Sequence, residues 1–193
     1  MFKKSFLGLG IVAACVGLAD AQKADDIVGS VLLEEALTAR TAAGSVVKDE
    51  RRMVVIDYTK HSTQPRFFLV DLTDMTADTF LVAHGKGSDA DHDGYADQFS
   101  NILNSRMSSL GAYVTGETYY GQHGLSLRLH GLDPSNDKAL ERYIVIHGAD
   151  YVAPGRRVLG RSWGCPALEQ AVAQKLIPEL AGGTFIYAVG PGS

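Results

Sequence analysis

Cys165 lies in Gly160-Arg161-Ser162-Trp163-Gly164-Cys165-Pro166, and eighteen residues upstream His147 ends the run Tyr143-Ile144-Val145-Ile146. A thiol attacks only as a thiolate, and a nearby imidazole can generate one near neutral pH. The small residues around Cys165 suit a second need. A sharply bent chain can aim backbone N–H groups at a developing oxyanion where side-chain bulk is low. Ser162, Trp163 and Gly164 are the candidates for shaping that loop and supplying its donors. The pair points to nucleophilic acyl chemistry. On spacing alone, a small buried cysteine after a tight turn and a hydrogen-bonded histidine at a strand end stay open as the alternative.

Only one other cysteine exists, and it lies in the leader. Lys3 and Lys4 precede an apolar stretch from Phe6 to Leu18, and Ala19-Asp20-Ala21 offers a small-x-small cleavage site, so residues 1–21 are expected to be a removed signal peptide. Val12-Ala13-Ala14-Cys15 also fits a lipoprotein processing site, with Cys15 as the lipid anchor. Either fate removes Cys15 as a thiol and places the mature chain in the periplasm or outside the cell. A lone cysteine in an oxidising compartment has no internal disulfide partner; it is either inert and buried or a thiol kept for chemistry. No later segment approaches the ~20 apolar residues of a membrane span. The formal charge of −4 and the absence of a basic stripe argue against nucleic acid. A monomer is expected.

The elements that must position the pair follow from periodicity. Residues 26–43 read as one amphipathic helix, with Ile27, Val31, Leu32, Ala36, Leu37 and Ala39 near helical spacing and Gly44-Ser45 ending it. From Met53 the period becomes two. Strands are predicted at Met53–Tyr58, Arg66–Leu72, Thr79–His84, Ala112–Thr118, Leu125–Leu129, Tyr143–His147 and Thr184–Val189. Ala167–Leu180 has helical periodicity, interrupted late by Pro178. The expected fold is mainly β (α+β): one curled sheet or sandwich with an N-terminal helix and a helix after the cysteine. Residues 22–50 would be the helix and lead-in, and 51–193 the main domain.

These residues carry a resemblance. Ile146-His147-Gly148, then Gly160, then Ser162-Trp163-Gly164-Cys165 resembles the signature of the L,D-transpeptidase catalytic domain family (YkuD-like), a His-Gly followed after a mid-teens gap by a Ser/Thr-His-Gly-Cys box. Val82-Ala83-His84-Gly85, Phe99-Ser100-Asn101, Ser108-Ser109-Leu110-Gly111-Ala112-Tyr113 and Pro166-Ala167-Leu168 extend it over roughly residues 53–189, most like a divergent murein-directed branch. The resemblance implies Cys165 as nucleophile, His147 as its base and the Gly148 carbonyl as the group orienting the imidazole. It implies a peptidoglycan stem peptide as substrate, with no cofactor required for catalysis. Two positions depart from the pattern: Trp163 replaces the box histidine, and Ala167 stands where an arginine is usual. Arg161, His84 and Tyr113 are the expected substrate contacts, Arg161 supplying the missing cation. His123, His130, Arg128, Tyr119 and Tyr120 are further candidates for the cleft rim. A non-catalytic wall-binding module and a cysteine peptidase of another fold are the rival readings.

Asp89-Ala90-Asp91-His92-Asp93-Gly94-Tyr95-Ala96-Asp97 fits the start of a calcium loop, in which alternate carboxylates converge on a hard cation. The twelfth position is Ser100 rather than a bidentate glutamate, so this is not a standard EF-hand. Asp89, Asp91, Asp93 and Asp97 are the expected ligands of a structural Ca²⁺, on the argument that clustered carboxylates without a counter-ion repel one another.

Overall fold

The computed structural model describes residues 22–192, and the expected leader with Cys15 lies outside them. The fold is organised around three strands with continuous apolar runs: β2 (Arg52–Asp57), β3 (Phe67–Asp71) and β10 (Phe185–Val189). A strand apolar at every position must be covered on both faces. Side chains here alternate accordingly. Val54, Ile56, Phe67, Leu69, Ile186 and Ala188 enter one core, while Met53, Val55, Phe68, Val70 and Phe185 enter another. The first core is filled by α3 (Gln170–Leu180), whose Ala173, Leu176, Ile177 and Leu180 fall on one helical stripe. The second is covered by α1 (Ala24–Val28) and α2 (Ser30–Ala43) through Ala24, Val28, Leu33 and Ala36.

The remaining strands are β1 (Gln22–Lys23), β4 (Thr76–Phe80), β5 (Val82–Ala83), β6 (Gly111–Gly121), β7 (Gly124–Gly131), β8 (Val145–Gly148) and β9 (Ala167–Leu168). All ten form one mixed sheet in the order β1-β4-β3-β2-β10-β6-β7-β8-β9-β5. Strand β4 lies near one end of that order and β5 at the other, yet Leu81 alone separates them in sequence. One residue spans only about 7 Å between its neighbours. The sheet must therefore curl until its ends nearly meet, which is the curled, mainly β architecture expected from the sequence.

Three element boundaries differ from expectation. The single helix over 26–43 is two helices, because Gly29 adopts φ 90 between them; Val31 is consequently turned out to solvent. The strand expected over Thr79–His84 divides at Leu81, its halves pairing with β3 and β9 at opposite ends of the sheet. Ala167 and Leu168 leave the expected helix to form β9, where parallel pairing with His147 and Gly148 overrides their helical periodicity. Pro178 lies inside α3, close to its end. No described helix is long and apolar enough to cross a membrane.

Candidate active site

Strands β8 and β9 bring the pair together. They run parallel, with His147 opposite Ala167, two residues beyond Cys165. Cys165, just ahead of β9, therefore lies one diagonal step along the sheet from His147. The sulfur lies against the chain entering β8. Its S–H donates to the Tyr143 carbonyl at 3.6 Å, and the Val145 N–H faces it from the next turn of the backbone.

The imidazole of His147 is buried and held in one tautomer. Nδ1–H donates to the Gly148 carbonyl at 2.9 Å, leaving Nε2 as the nitrogen able to accept a proton. Strands β6 and β7 are joined by a two-residue turn, Gln122-His123, and the His123 ring stacks on His147 with centroids 4.2 Å apart. Burial holds His147 below the usual histidine range; the Gly148 carbonyl opposes this and His123 adds to it. Cys165 is a half-buried free thiol. Burial raises its pKa, against the Val145 N–H and the Arg142 guanidinium, which favour the thiolate. At neutral pH the resting pair is therefore thiol and neutral imidazole, ready for proton transfer as attack occurs.

The cysteine loop is fixed by its own hydrogen bonds. Ser162 Oγ donates to the Cys165 carbonyl at 2.6 Å and accepts from the Gly164 N–H at 3.0 Å, while the Ser162 N–H donates to the His84 carbonyl at 2.9 Å. The N–H groups of Ser162 and Gly164 are thus consumed inside the loop. Those of Trp163 and Cys165 have no partner among the described residues and remain for an oxyanion. Ser108 ties the loop to its neighbours, its Oγ donating to the Gly164 carbonyl at 3.1 Å and accepting from the Gly85 N–H at 3.0 Å. Arg142 braces the same region from below, donating to the carbonyls of Ser100 and Met107 at 2.7 and 2.6 Å.

The three expected substrate contacts are placed elsewhere. His84 is 1% exposed, with Nδ1 accepting from Arg66 Nη2 at 2.6 Å and Nε2–H donating to Asp89 Oδ2 at 3.0 Å. Arg161 donates to the Asp89 carbonyl and lies 4.0 Å from its carboxylate, so its cation holds the acidic loop to the cysteine loop. Tyr113 is 3% exposed and its hydroxyl bonds to Ser109 at 2.8 Å. Position in the sequence brought these residues near the box, but their polar groups are engaged with partners inside the fold.

Asp89, Asp91 and Asp93 present carboxylate oxygens within 4.8 Å of one another, without Asp97. Asp89 is fully buried and already engaged: its oxygens accept from His84, from the Asp93 N–H at 3.1 Å and from the Gly94 N–H at 3.2 Å. Burial opposes its ionisation, but the His84 contact, the Gly94 N–H and Arg161 hold its pKa low. His92, within the same loop, bonds through Nε2 to the Leu159 carbonyl at 2.9 Å.

Alongside His147 runs a cleft of about 930 Å³. It is lined by His123, Gly148, Tyr151 and Gln170, among others. Tyr151 also stands near the sulfur, which helps raise its phenol pKa to about 12, after burial. Arg66, Ser108 and Arg142 carry parts of the site that sequence reasoning missed. Arg66 alone left a trace, as a cation heading an otherwise apolar run.

A free thiol just ahead of β9, a tautomer-locked imidazole on the neighbouring strand and free N–H donors in the cysteine loop fit the class of cysteine acyl-transfer proteins. The chain matches the L,D-transpeptidase catalytic domain over residues 24–189, and it belongs to that family. None of the curated proteins matches it. Among solved structures, an L,D-transpeptidase from Stackebrandtia nassauensis is similar at 14% identity and TM-score 0.45, with 84% of this chain and 69% of that one covered. An L,D-transpeptidase from Mycobacterium tuberculosis H37Rv is similar at 11% identity and TM-score 0.46, covering 72% and 57%. One from Mycobacterium smegmatis is similar at 12% identity and TM-score 0.44, covering 72% and 59%. The chain spans less than two thirds of the length of these mycobacterial proteins.

Proposed function

We propose that this protein is an exported enzyme that acts on peptidoglycan stem peptides through an acyl-enzyme on Cys165. The observation that carries this reading is the position of Cys165 just ahead of β9, which pairs in parallel with the strand bearing His147, within the sequence box of its family. The thiol attacks the L,D-amide that precedes the terminal D-residue of a stem tetrapeptide. His147 Nε2 takes the thiol proton and delivers it to the leaving amine, while the N–H groups of Trp163 and Cys165 receive the oxyanion. The thioester is then resolved by a second amine, giving transpeptidation, or by water, giving L,D-carboxypeptidation. The acidic loop has a structural part in this reading: Asp91 and Asp93 complete a calcium site against the Asp89 anchor and stiffen the segment that meets the cysteine loop.

Product analysis tests the assignment. Incubation with disaccharide-tetrapeptide is expected to release the terminal D-residue and give cross-linked dimers or disaccharide-tripeptide, with both products lost in Cys165→Ala. Turnover by Cys165→Ala, or cleavage confined to ordinary L,L-peptides, would contradict it.

A further inference from the structure

Trp163 is 68% exposed on the loop that presents the nucleophile. Two cations flank its indole: Arg106 Cζ at 4.5 Å from the ring centroid and Lys86 Nζ at 5.8 Å. Arg51, Arg52, Lys60, Arg128 and Arg161 each have a carboxylate partner. Lys86 and Arg106 have none among the described residues, and each lies over the indole. Both cations are thus gathered at one exposed indole without an anion of their own, and a carboxylate arriving at that loop would meet their combined positive charge.

The three segments are locked in place by backbone contacts. The Lys86 N–H donates to the Ser162 carbonyl and the Gly87 N–H to the Arg106 carbonyl, both at 2.9 Å. A Cβ at Gly85 would strike the Arg106 carbonyl and come within 2.8 Å of Gly164 Cα, so the packing admits only glycine there. The cations are thereby fixed relative to a nucleophile two residues from the indole.

We infer that Lys86, Trp163 and Arg106 form a carboxylate-binding subsite for the peptide substrate, with the cations pairing to the anion and the indole packing against the adjoining chain. This rests on the function proposed above and adds what part of the substrate is read at this face. Arg161 cannot serve that purpose, since it is engaged with Asp89.

Trp163 is the chain's single tryptophan, so its emission reports on the subsite directly. Cys165→Ala, which separates binding from chemistry, would be titrated with disaccharide-tetrapeptide bearing free carboxylates and with the same compound as its carboxamide. The free acid is expected to bind roughly tenfold more tightly. Adding Lys86→Ala or Arg106→Ala is expected to remove most of that preference, and the double variant all of it, with melting temperatures confirming the fold. Equal affinity for acid and amide, a preference that survives in the double variant, or no saturable change in emission would overturn the subsite. Intact mass of the wild-type protein separates the two readings. An emission response without an acyl adduct defeats the proposed chemistry and leaves the subsite standing; an adduct formed without preference for the acid defeats the subsite alone.

Discussion

His147 and Cys165 rest uncharged, and this dictates how the proton moves. A thiol held above its usual range by burial goes on gaining thiolate as pH rises beyond the ordinary cysteine range. Alkylation of Cys165 by iodoacetamide should therefore keep accelerating at pH values where an ordinary cysteine is already largely ionised. A plateau already reached by pH 7 would reveal a resting thiolate–imidazolium pair instead. Arg142 favours the thiolate, so Arg142→Gln should move the alkylation midpoint further up. His123 opposes protonation of its stacked neighbour, and His123→Ala should raise the His147 pKa as followed by NMR of the ring. An unchanged or lower value would show that the stack does not tune the base. At this scale Cys165 and His147 were legible as a candidate pair from residue type and spacing, and the family resemblance gave them their expected roles. The part played by His123 was not, because only the β6–β7 turn brings its ring over His147.

Among the elements, the loops beneath the nucleophile depend on close backbone approach. Gly164 has φ 123, and a Cβ there would lie 2.7 Å from the Met107 carbonyl. Gly164→Ala should cost about 1–3 kcal/mol of stability and slow acylation on the order of 100-fold, since both strain and displacement of the sulfur follow. Gly85→Ala should act in the same direction. Single-turnover acylation rates with thermal melts check this, and wild-type behaviour in both variants would mean that the loops are not tightly coupled. Periodicity located the long strands and both helical regions. It missed the two-residue strands β5 and β9, whose existence depends on pairing with each other and with β8 rather than on local propensity. The surroundings of His84 were hidden for a related reason. Its place after a strand suggested a cleft, whereas Arg66, 18 residues earlier, captures its Nδ1 inside the fold.

Across the whole molecule, the curl of the sheet brings the Arg66–His84–Asp89 chain under the cysteine loop, and Arg161 completes it. Burial first, with Arg66 adding, lowers the His84 pKa to about 4 against the contrary pull of Asp89. Between pH 4 and 6.5 the unfolded chain binds the extra proton, so stability rises with pH across that window and is lost on acidification. The contribution is on the order of 3 kcal/mol. In His84→Gln the carbonyl can accept from Arg66 and the amide donate to Asp89, so the melting temperature should fall less steeply between pH 6.5 and 4. An unchanged slope would place the acid sensitivity elsewhere. Calcium at millimolar levels should raise the melting temperature, and Asp91→Asn with Asp93→Asn should abolish the gain; no shift in the wild type would remove the ion. The sheet's curl was expected from the succession of short strands, but its physical necessity appears only where Leu81 joins opposite ends of the strand order.

The most direct measurement is peptide-mapped mass spectrometry of the protein quenched in acid during turnover of disaccharide-tetrapeptide. A thioester of the substrate minus its terminal D-residue should appear on the peptide containing Cys165, accumulate more slowly in His147→Ala, and be absent from Cys165→Ala. Release of that D-residue without any adduct on Cys165, or an adduct that forms at full rate in His147→Ala, would contradict the pairing on which the account rests.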